Sequence, residues 1–317
     1  MDLKNYNSLI SYAFENINCG KYEDALKNLE SIVSSKFYNY LTVDLQLLLK
    51  RGLSNTYLKL EKYEEGWMHY TYSWIKKPKR IKELEKIYQQ NKSIKYLKSL
   101  DQIKKGEKLL IWHLDGGYGD FIYQLRLMKI LANSADFKIL NGKMNYLLKD
   151  KELTVTSAKG FEWHLPLLEI PRVLNYNPIK YNKFNFNYLI NPSKTNLELK
   201  SFVGLIYKTE NSESRSIDYK LLNKLFLKKN NIRFLVIQNK FNYEEVKFFS
   251  SFNNVFLTKN IDRKNIFEET YNVINSVKFV ISVDTAVGHI AGYLQKRTFL
   301  LLNFFGHYYW GYKKKIS

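Results

Sequence analysis

The spacing of apolar positions divides the chain near residue 100. Before it, apolar residues recur three and four apart, the period of helices that bury one face. Two segments there repeat one another: GKYEDAL, from Gly20 to Leu26, and EKYEEGW, from Glu61 to Trp67. Each is flanked by apolar helical stretches, so the pattern predicts two helical hairpins whose small and aromatic positions let helices pack closely. Tyr22 and Tyr63 lie 41 residues apart, longer than the tetratricopeptide period of roughly 34. So few repeats cannot close a stable array alone, and they are expected to stack against the part of the chain beyond residue 100. Trp67, Tyr70, Tyr72 and Trp74 fit an aromatic stripe between helices.

From Gly106 onward, short β-favouring runs at 108–112, 137–140, 203–207, 232–237, 255–257 and 279–283 alternate with helical patterns at 121–131, 219–227, 243–249 and 267–274. Such alternation predicts parallel sheets covered on both faces. There are too many elements for one sheet, and 191–200 (NPSKTNLELK) is polar and turn-rich. The expected fold is therefore α/β with two Rossmann-like lobes and a cleft between them, preceded by a tetratricopeptide-like α-helical region. The expected boundaries are 1–100 for the helices and linker, 101–198 for the first lobe and 199–317 for a C-terminally short second lobe.

Chemistry concentrates where strands hand over to helices. In 281–302 (ISVDTAVGHIAGYLQKRTFLLL) a buried strand leads at Asp284 into a helix with apolar positions Val287, Ile290, Ala291 and Leu294, and then into a second strand. A helix start at the carboxyl edge of a sheet offers unpaired N–H groups and a positive dipole end, a place for a phosphate. After the strand at 108–112, the run HLDGGYGDF supplies Gly116, Gly117 and Gly119 for a tight βα turn, with Asp120 at the helix start. By itself this is a weak dinucleotide signal, and its alternative is a turn with Asp120 as a helix cap.

Composition adds a formal net charge of +20, from 50 Lys and Arg against 30 Asp and Glu. That excess favours anionic partners, but the lysines are spread beside Asn, Ile and Tyr and read as a solvated surface, so nucleic acid is not an expected partner. Lys76, Lys77, Lys79 and Arg80, in a linker-like stretch, and the lysines at 313–315 are candidates for peripheral contact with a membrane surface. The single cysteine, Cys19, excludes a disulfide within the chain. No membrane-length apolar run or signal-peptide pattern occurs, so a cytoplasmic protein is expected, with contact at the inner membrane face as an added option. Metal-site spacings, a P-loop and a DxD-type acidic pair are absent, so no metal or cofactor is expected.

In order, EKYEEGWMHYTYSW, LLIWHLDGGYGDFIYQLRLM, HLPLLEIPRVLN, VGLIYKTENSESRSIDYKLL, FLVIQ and FEETYNVINSVKFVISVDTAVGHIAG resemble bacterial tetratricopeptide-repeat glycosyltransferases of the heptosyltransferase-like type. The resemblance runs from about Leu58 to Trp310. It implies a GT-B architecture and a nucleotide-diphosphate sugar as substrate. It places the family's acidic position on Asp120, its diphosphate-contacting base on Arg215, and its donor-binding helix start on Asp284, Thr285, Ala286, Val287 and His289. An inverting transfer needs a base for the acceptor hydroxyl and cationic or N–H groups for the leaving diphosphate, and these residue types meet that need. Gly117, Gly119 and Gln238 are secondary candidates. Two bland alternatives stand beside them: His289 as a packing residue and Gln238 as a strand-end polar cap. The implied acceptor is a glycan, a lipid-linked glycan or a protein, and the repeats could hold a protein partner. The short, glycine-free loop at 208–214 and the early chain end motivate the alternative of a noncatalytic scaffold.

Overall fold

The computed structural model describes residues 3–75, 78–113, 117–140, 142, 145–178, 188–189, 195–209, 213–258 and 266–303. They fall into two compact units. The first holds the described residues up to 113 together with 123–189, and the second holds 117–122 and 195–303.

The first unit begins with helices α1 (Leu3–Asn18), α2 (Tyr22–Ser34), α3 (Val43–Lys59), α4 (Tyr63–Ile75) and α5 (Pro78–Gln90). Helices α1 and α2 form one hairpin, α3 and α4 another, and the sequence repeat is reproduced bond for bond at their turns. Lys21 N–H donates to the Asn16 carbonyl as Lys62 does to that of Tyr57, and Ala25 N–H donates to Lys21 as Gly66 does to Lys62. Both turns pass through a left-handed residue, Gly20 at φ 74° and Glu61 at φ 63°. Only the first has the residue suited to that conformation. Buried Tyr6, Ala13, Leu26, Leu29, Leu49 and Leu53 form the core between the hairpins.

The helices do pack on the α/β part of the unit. Trp67, buried on α4, donates its indole N–H to the Tyr176 carbonyl at 2.8 Å and meets Tyr70 edge-on. These two aromatics of the stripe therefore serve packing. The side chains of Tyr72 and Trp74 lie outside the described residues, as do Lys76, Lys77 and 313–315. Arg80 departs from the expected exposed linker: it sits in α5 and is 2% exposed.

Five strands complete the first unit: β1 (Lys95–Tyr96), β2 (Lys108–Trp112), β3 (Asp136–Leu140), β4 (Thr154–Val155) and β5 (Trp163–Pro166). All pair in parallel in the order β1-β5-β2-β3-β4, with Leu110 opposite Lys138 on one side and His164 on the other. Helix α6 (Tyr118–Ala132) links β2 to β3, and α7 (Ile170–Val173) follows β5. The second sheet comprises β6 (Phe202–Ile206), β7 (Arg233–Val236), β8 (Val255–Leu257), β9 (Phe279–Val283) and β10 (Thr298–Leu301), also wholly parallel, in the order β10-β9-β6-β7-β8. Its helices are α8 (Asn223–Lys228), α9 (Tyr243–Ser250), α10 (Ile266–Ser276) and α11 (Ala286–Tyr293). All five residues of β6 are buried, as a strand covered on both faces requires. The helix expected at 219–227 opens instead as a 3₁₀ turn, because Asp218 accepts the N–H of Lys220 only two residues on. Among the described residues no helix is long and apolar enough to cross a membrane.

Two buried titratable groups lie in β5 and just beyond it, His164 and Glu169. Glu169, fully buried, accepts from the Tyr96 hydroxyl and from Arg172 Nη2 at 3.1 Å. Burial pushes its carboxyl up to about 7 against the opposing pull of Arg172 and Arg80. Burial also holds His164 down to about 4.

Replacing Glu61 with glycine is expected to raise stability by about 0.5–1 kcal/mol, read as a higher urea midpoint with unchanged slope. The buried pair gives a pH signature. Glu169, raised above its ordinary 4.5, contributes stability that is complete below that value and lost as pH climbs through about 7. His164, lowered from 6.5, contributes stability present above that value and lost as pH falls through about 4. The slopes oppose between 4.5 and 6.5, so Glu169→Gln should make the denaturation midpoint climb more steeply with pH across that window than in the unmodified chain.

Candidate functional site

In the second sheet the chain leaves β6 toward β7 and β8 on one side, then crosses to β9 and β10 on the other. The order reverses between β6 and β9, which pair with Ile206 opposite Ser282. In open parallel sheets a ligand crevice forms at the carboxyl ends of the two strands where the order reverses. Here those ends lead into the segments that carry Arg215 and Asp284.

After β6 the chain folds back on itself. Ile217 N–H donates to the Tyr207 carbonyl at 2.7 Å, and Thr209 N–H donates to Ser216 Oγ at 2.9 Å. The Asn303 amide beyond β10 donates to the Ser214 carbonyl at 2.7 Å. Residues 210–212 lie outside the described residues, but Arg215 is in place at the end of a short 3₁₀ turn. Its Nη1 donates to the Asp284 carbonyl at 3.3 Å and stands 3.9 Å from Asp284 Oδ2. The Arg215 side chain is 40% exposed, whereas Asp284 is buried. Among the described residues no hydrogen bond takes up Arg215 Nε or Nη2. That edge of the guanidinium is the fork that suits two phosphate oxygens.

Thr285 caps α11. Its Oγ1 accepts from Val287 N–H at 3.1 Å, and its carbonyl accepts from Gly288 N–H at 3.1 Å. Of the amides expected to meet a ligand, Val287's is therefore engaged by the cap, while the Thr285 hydroxyl keeps its own proton to donate. Ala286 begins the helix two residues beyond the Arg215 contact at Asp284.

Gly117 to Ile122 groups with this same unit. Gly117 N–H donates to Asp120 Oδ2 at 3.0 Å, so Asp120 is not the cap itself but the third residue of α6, reaching back to the amide that precedes the helix. A Cβ on Gly119 would lie 2.8 Å from His289 Cδ2 and 3.4 Å from Ala286 Cα. Here glycine is required for close approach, and what approaches is α11. His289 packs on Gly119, and its contact brings the Asp120 turn beside the Thr285–Ala286 helix start. Gly116 lies outside the described residues, and Gly117 has open space around it.

Gln238 is buried and donates its side-chain amide to the Lys208 carbonyl at 3.3 Å, the arrangement of a strand-end cap. Beside it is an ion pair that the sequence reading missed. Lys208 Nζ lies 2.5 Å from Glu245 Oε1, and Glu245 is 4% exposed. Burial raises the Glu245 carboxyl, but the bonds from Lys208 and the Asn242 amide outweigh it and leave the group below its ordinary value. Glu245 is also the third residue of a capping box on Asn242, which is all its local sequence shows. Among the described residues no cluster of three or more His, Cys, Asp or Glu side chains is placed to hold a metal ion.

No family model and no curated protein matches the chain. Solved structures of similar shape include Escherichia coli heptosyltransferase WaaC with ADP-2-deoxy-2-fluoro heptose, at 9% identity and a TM-score of 0.38 over 61% of this chain and 88% of that one. Another is the iron-containing dodecameric glycosyltransferase TibC from enterotoxigenic E. coli H10407, at 10% identity and a TM-score of 0.45 over 62% and 58%. A third is E. coli ADP-heptose lps heptosyltransferase II, at 8% and 0.37 over 61% and 84%. Likeness at this level assigns no activity to the present chain.

Gly119→Ala should cost about 1–3 kcal/mol through the clash with the imidazole. The same change in a His289→Ala background should be close to neutral, and a double-mutant cycle by urea unfolding measures the coupling.

Proposed function

We propose that the chain is a glycosyltransferase of GT-B type, heptosyltransferase-like and fronted by tetratricopeptide-like hairpins. It takes a sugar from a nucleotide-diphosphate donor and passes it to a glycan, lipid-linked or protein acceptor. The carrying observation is the meeting of Arg215 with Asp284 at the point where the order of the second sheet reverses, one residue from the Thr285 cap. The ordered series of motifs supports the same reading. In this scheme the leaving diphosphate is held by Arg215, the Thr285 hydroxyl and the start of α11, without a metal. Asp120 takes the proton from the acceptor hydroxyl as its oxygen bonds to the sugar carbon and the carbon–phosphate-oxygen bond breaks. His289 and Gly119 hold the Asp120 turn against the helix start, and Gln238 with the Lys208–Glu245 pair forms the neighbouring edge for the nucleotide.

The second reading, a noncatalytic relative that binds partners through its helices, is favoured by the bond that ties Asp120 to Gly117 as an ordinary helix-start acid.

Calorimetry with ADP, GDP, CDP and UDP tests the donor site. One of them should bind, and Arg215→Ala should weaken it by roughly ten- to hundredfold, the worth of about 1.5–3 kcal/mol for a charge-assisted hydrogen bond. Absence of any binding to the folded protein, or binding indifferent to Arg215→Ala, refutes the assignment. Asp120→Asn should keep nucleotide affinity and abolish donor turnover; turnover that survives would remove Asp120 as the base.

A further inference from the structure

The first unit contains a cavity of about 190 Å³ between α5 and the sheet. Helix α5 contributes Arg80, Leu84 and Tyr88, and strands β1, β2 and β5 contribute Tyr96, Trp112, His164 and Pro166. Nothing in the sugar-transfer scheme uses it.

The charges around this cavity act on one another. Burial raises the Glu169 carboxyl, and the guanidinium groups of Arg172 and Arg80 pull it back. Arg80 therefore belongs to the charge balance of the wall and is not a group held ready for an anion. The Tyr96 hydroxyl donates to the same carboxylate and accepts from Arg172 Nη2 at 3.1 Å. A ligand carrying its own charge into this space would lose its hydration and gain no counter-charge, the costliest form of burial.

The remaining polar atoms of the wall are also engaged, with one exception. The indole of Trp112 can only donate, so its 3.2 Å contact with His164 Nδ1 makes that nitrogen the acceptor and leaves the proton on Nε2. Nε2–H then donates to the Tyr88 hydroxyl at 3.1 Å. Burial, which keeps this imidazole neutral near pH 7, agrees with that tautomer. Among the described residues nothing accepts the proton of the Tyr88 hydroxyl, and Tyr88, at 39% exposure, marks the side reached by solvent.

The rest of the lining is π-face and hydrocarbon. The rings of Tyr88, Tyr96 and Trp112 stand 5.4, 5.6 and 6.3 Å from the His164 ring, and Leu84 and Pro166 complete the wall. A flat ring gains from such neighbours beyond the area it buries. A sugar or other polyol would leave its hydroxyl protons unpaired against them. An apolar cavity of roughly 150 Å³ holds benzene, so this one has room for a six-membered ring with one small substituent. The single donor left at Tyr88 calls for an acceptor on that substituent.

We propose that this cavity binds a small uncharged aromatic molecule with a single hydrogen-bond acceptor, its ring among Leu84, Tyr96, Trp112 and Pro166 and its acceptor on the Tyr88 hydroxyl proton. The site lies wholly in the first unit and does not depend on the glycosyltransferase reading.

Benzonitrile, phenylacetylene and benzoate, titrated into the full chain by calorimetry at neutral pH, decide the matter. Phenylacetylene has the shape of benzonitrile without its acceptor, and benzoate puts a charge in the acceptor's place. Benzonitrile should bind at one site with a Kd below about 1 mM, about threefold more tightly than phenylacetylene and at least about tenfold more tightly than benzoate. Binding should shift the indole N–H resonance of Trp112, identified by its loss in Trp112→Phe. Tyr88→Phe should bring benzonitrile to the affinity of phenylacetylene while leaving the latter within about twofold. Leu84→Trp should fill the cavity and abolish binding of both. Failure of benzonitrile to bind the folded protein, equal affinity for it and either companion, an unmoved Trp112 resonance, a preference untouched by Tyr88→Phe, or binding intact in folded Leu84→Trp would overturn the proposal. If Tyr88→Phe does not fold, the three ligands and the Trp112 resonance in the unmodified chain decide it equally.

Discussion

Every strand described in the two sheets runs parallel to its neighbours, and that single constraint orders much else. Parallel strands need crossovers, the crossovers bury both sheet faces, and the strand interiors become continuous apolar runs such as Phe202–Ile206. All the carboxyl ends of a sheet then fall along one edge. Side chains able to carry polar chemistry are pushed to that edge because the faces have no room for them. The Arg215–Asp284 contact forms there, and so does the turn that delivers Asp120.

Much of this is legible in the amino-acid sequence. The runs at 108–112, 203–207 and 279–283 are long, apolar and β-branched or aromatic, and each forms a strand. The duplicated GKYEDAL and EKYEEGW announce the hairpins, although Glu61 in place of a second glycine conceals the left-handed turn they share. The strand Trp163–Pro166 escapes a reading by pattern while lying next to the centre of its sheet. Four fully buried residues show no alternation, and a histidine and a proline among them argue against a central strand by composition alone. The histidine is tolerated because both ring nitrogens find partners in Trp112 and Tyr88. Strands of two residues, β1 and β4, carry no periodic signal at all.

The site divides the same way. The helix start at Thr285 follows from the residues themselves, since a strand that ends in Asp-Thr before an apolar helical period can hardly be anything but a capped βα junction. Arg215 is reached only through the order of motifs, because nothing in the run 208–214 says where that loop returns; the bonds from Asn303 and Ile217 fix it. The Lys208–Glu245 pair is beyond local reading, as its partners lie far apart in the chain and each looks ordinary in its own neighbourhood.

The indole of Trp67 reaches across to a carbonyl at position 176, so the front helices and the first sheet share one interior. Recombination could not exchange those hairpins for other helices without also rebuilding the floor on which they rest. A gene fragment starting after α5 would give a chain that shows water a bare hydrophobic wall, prone to clump during synthesis. The hairpins are thereby tied, by inheritance, to the particular sheet beneath them.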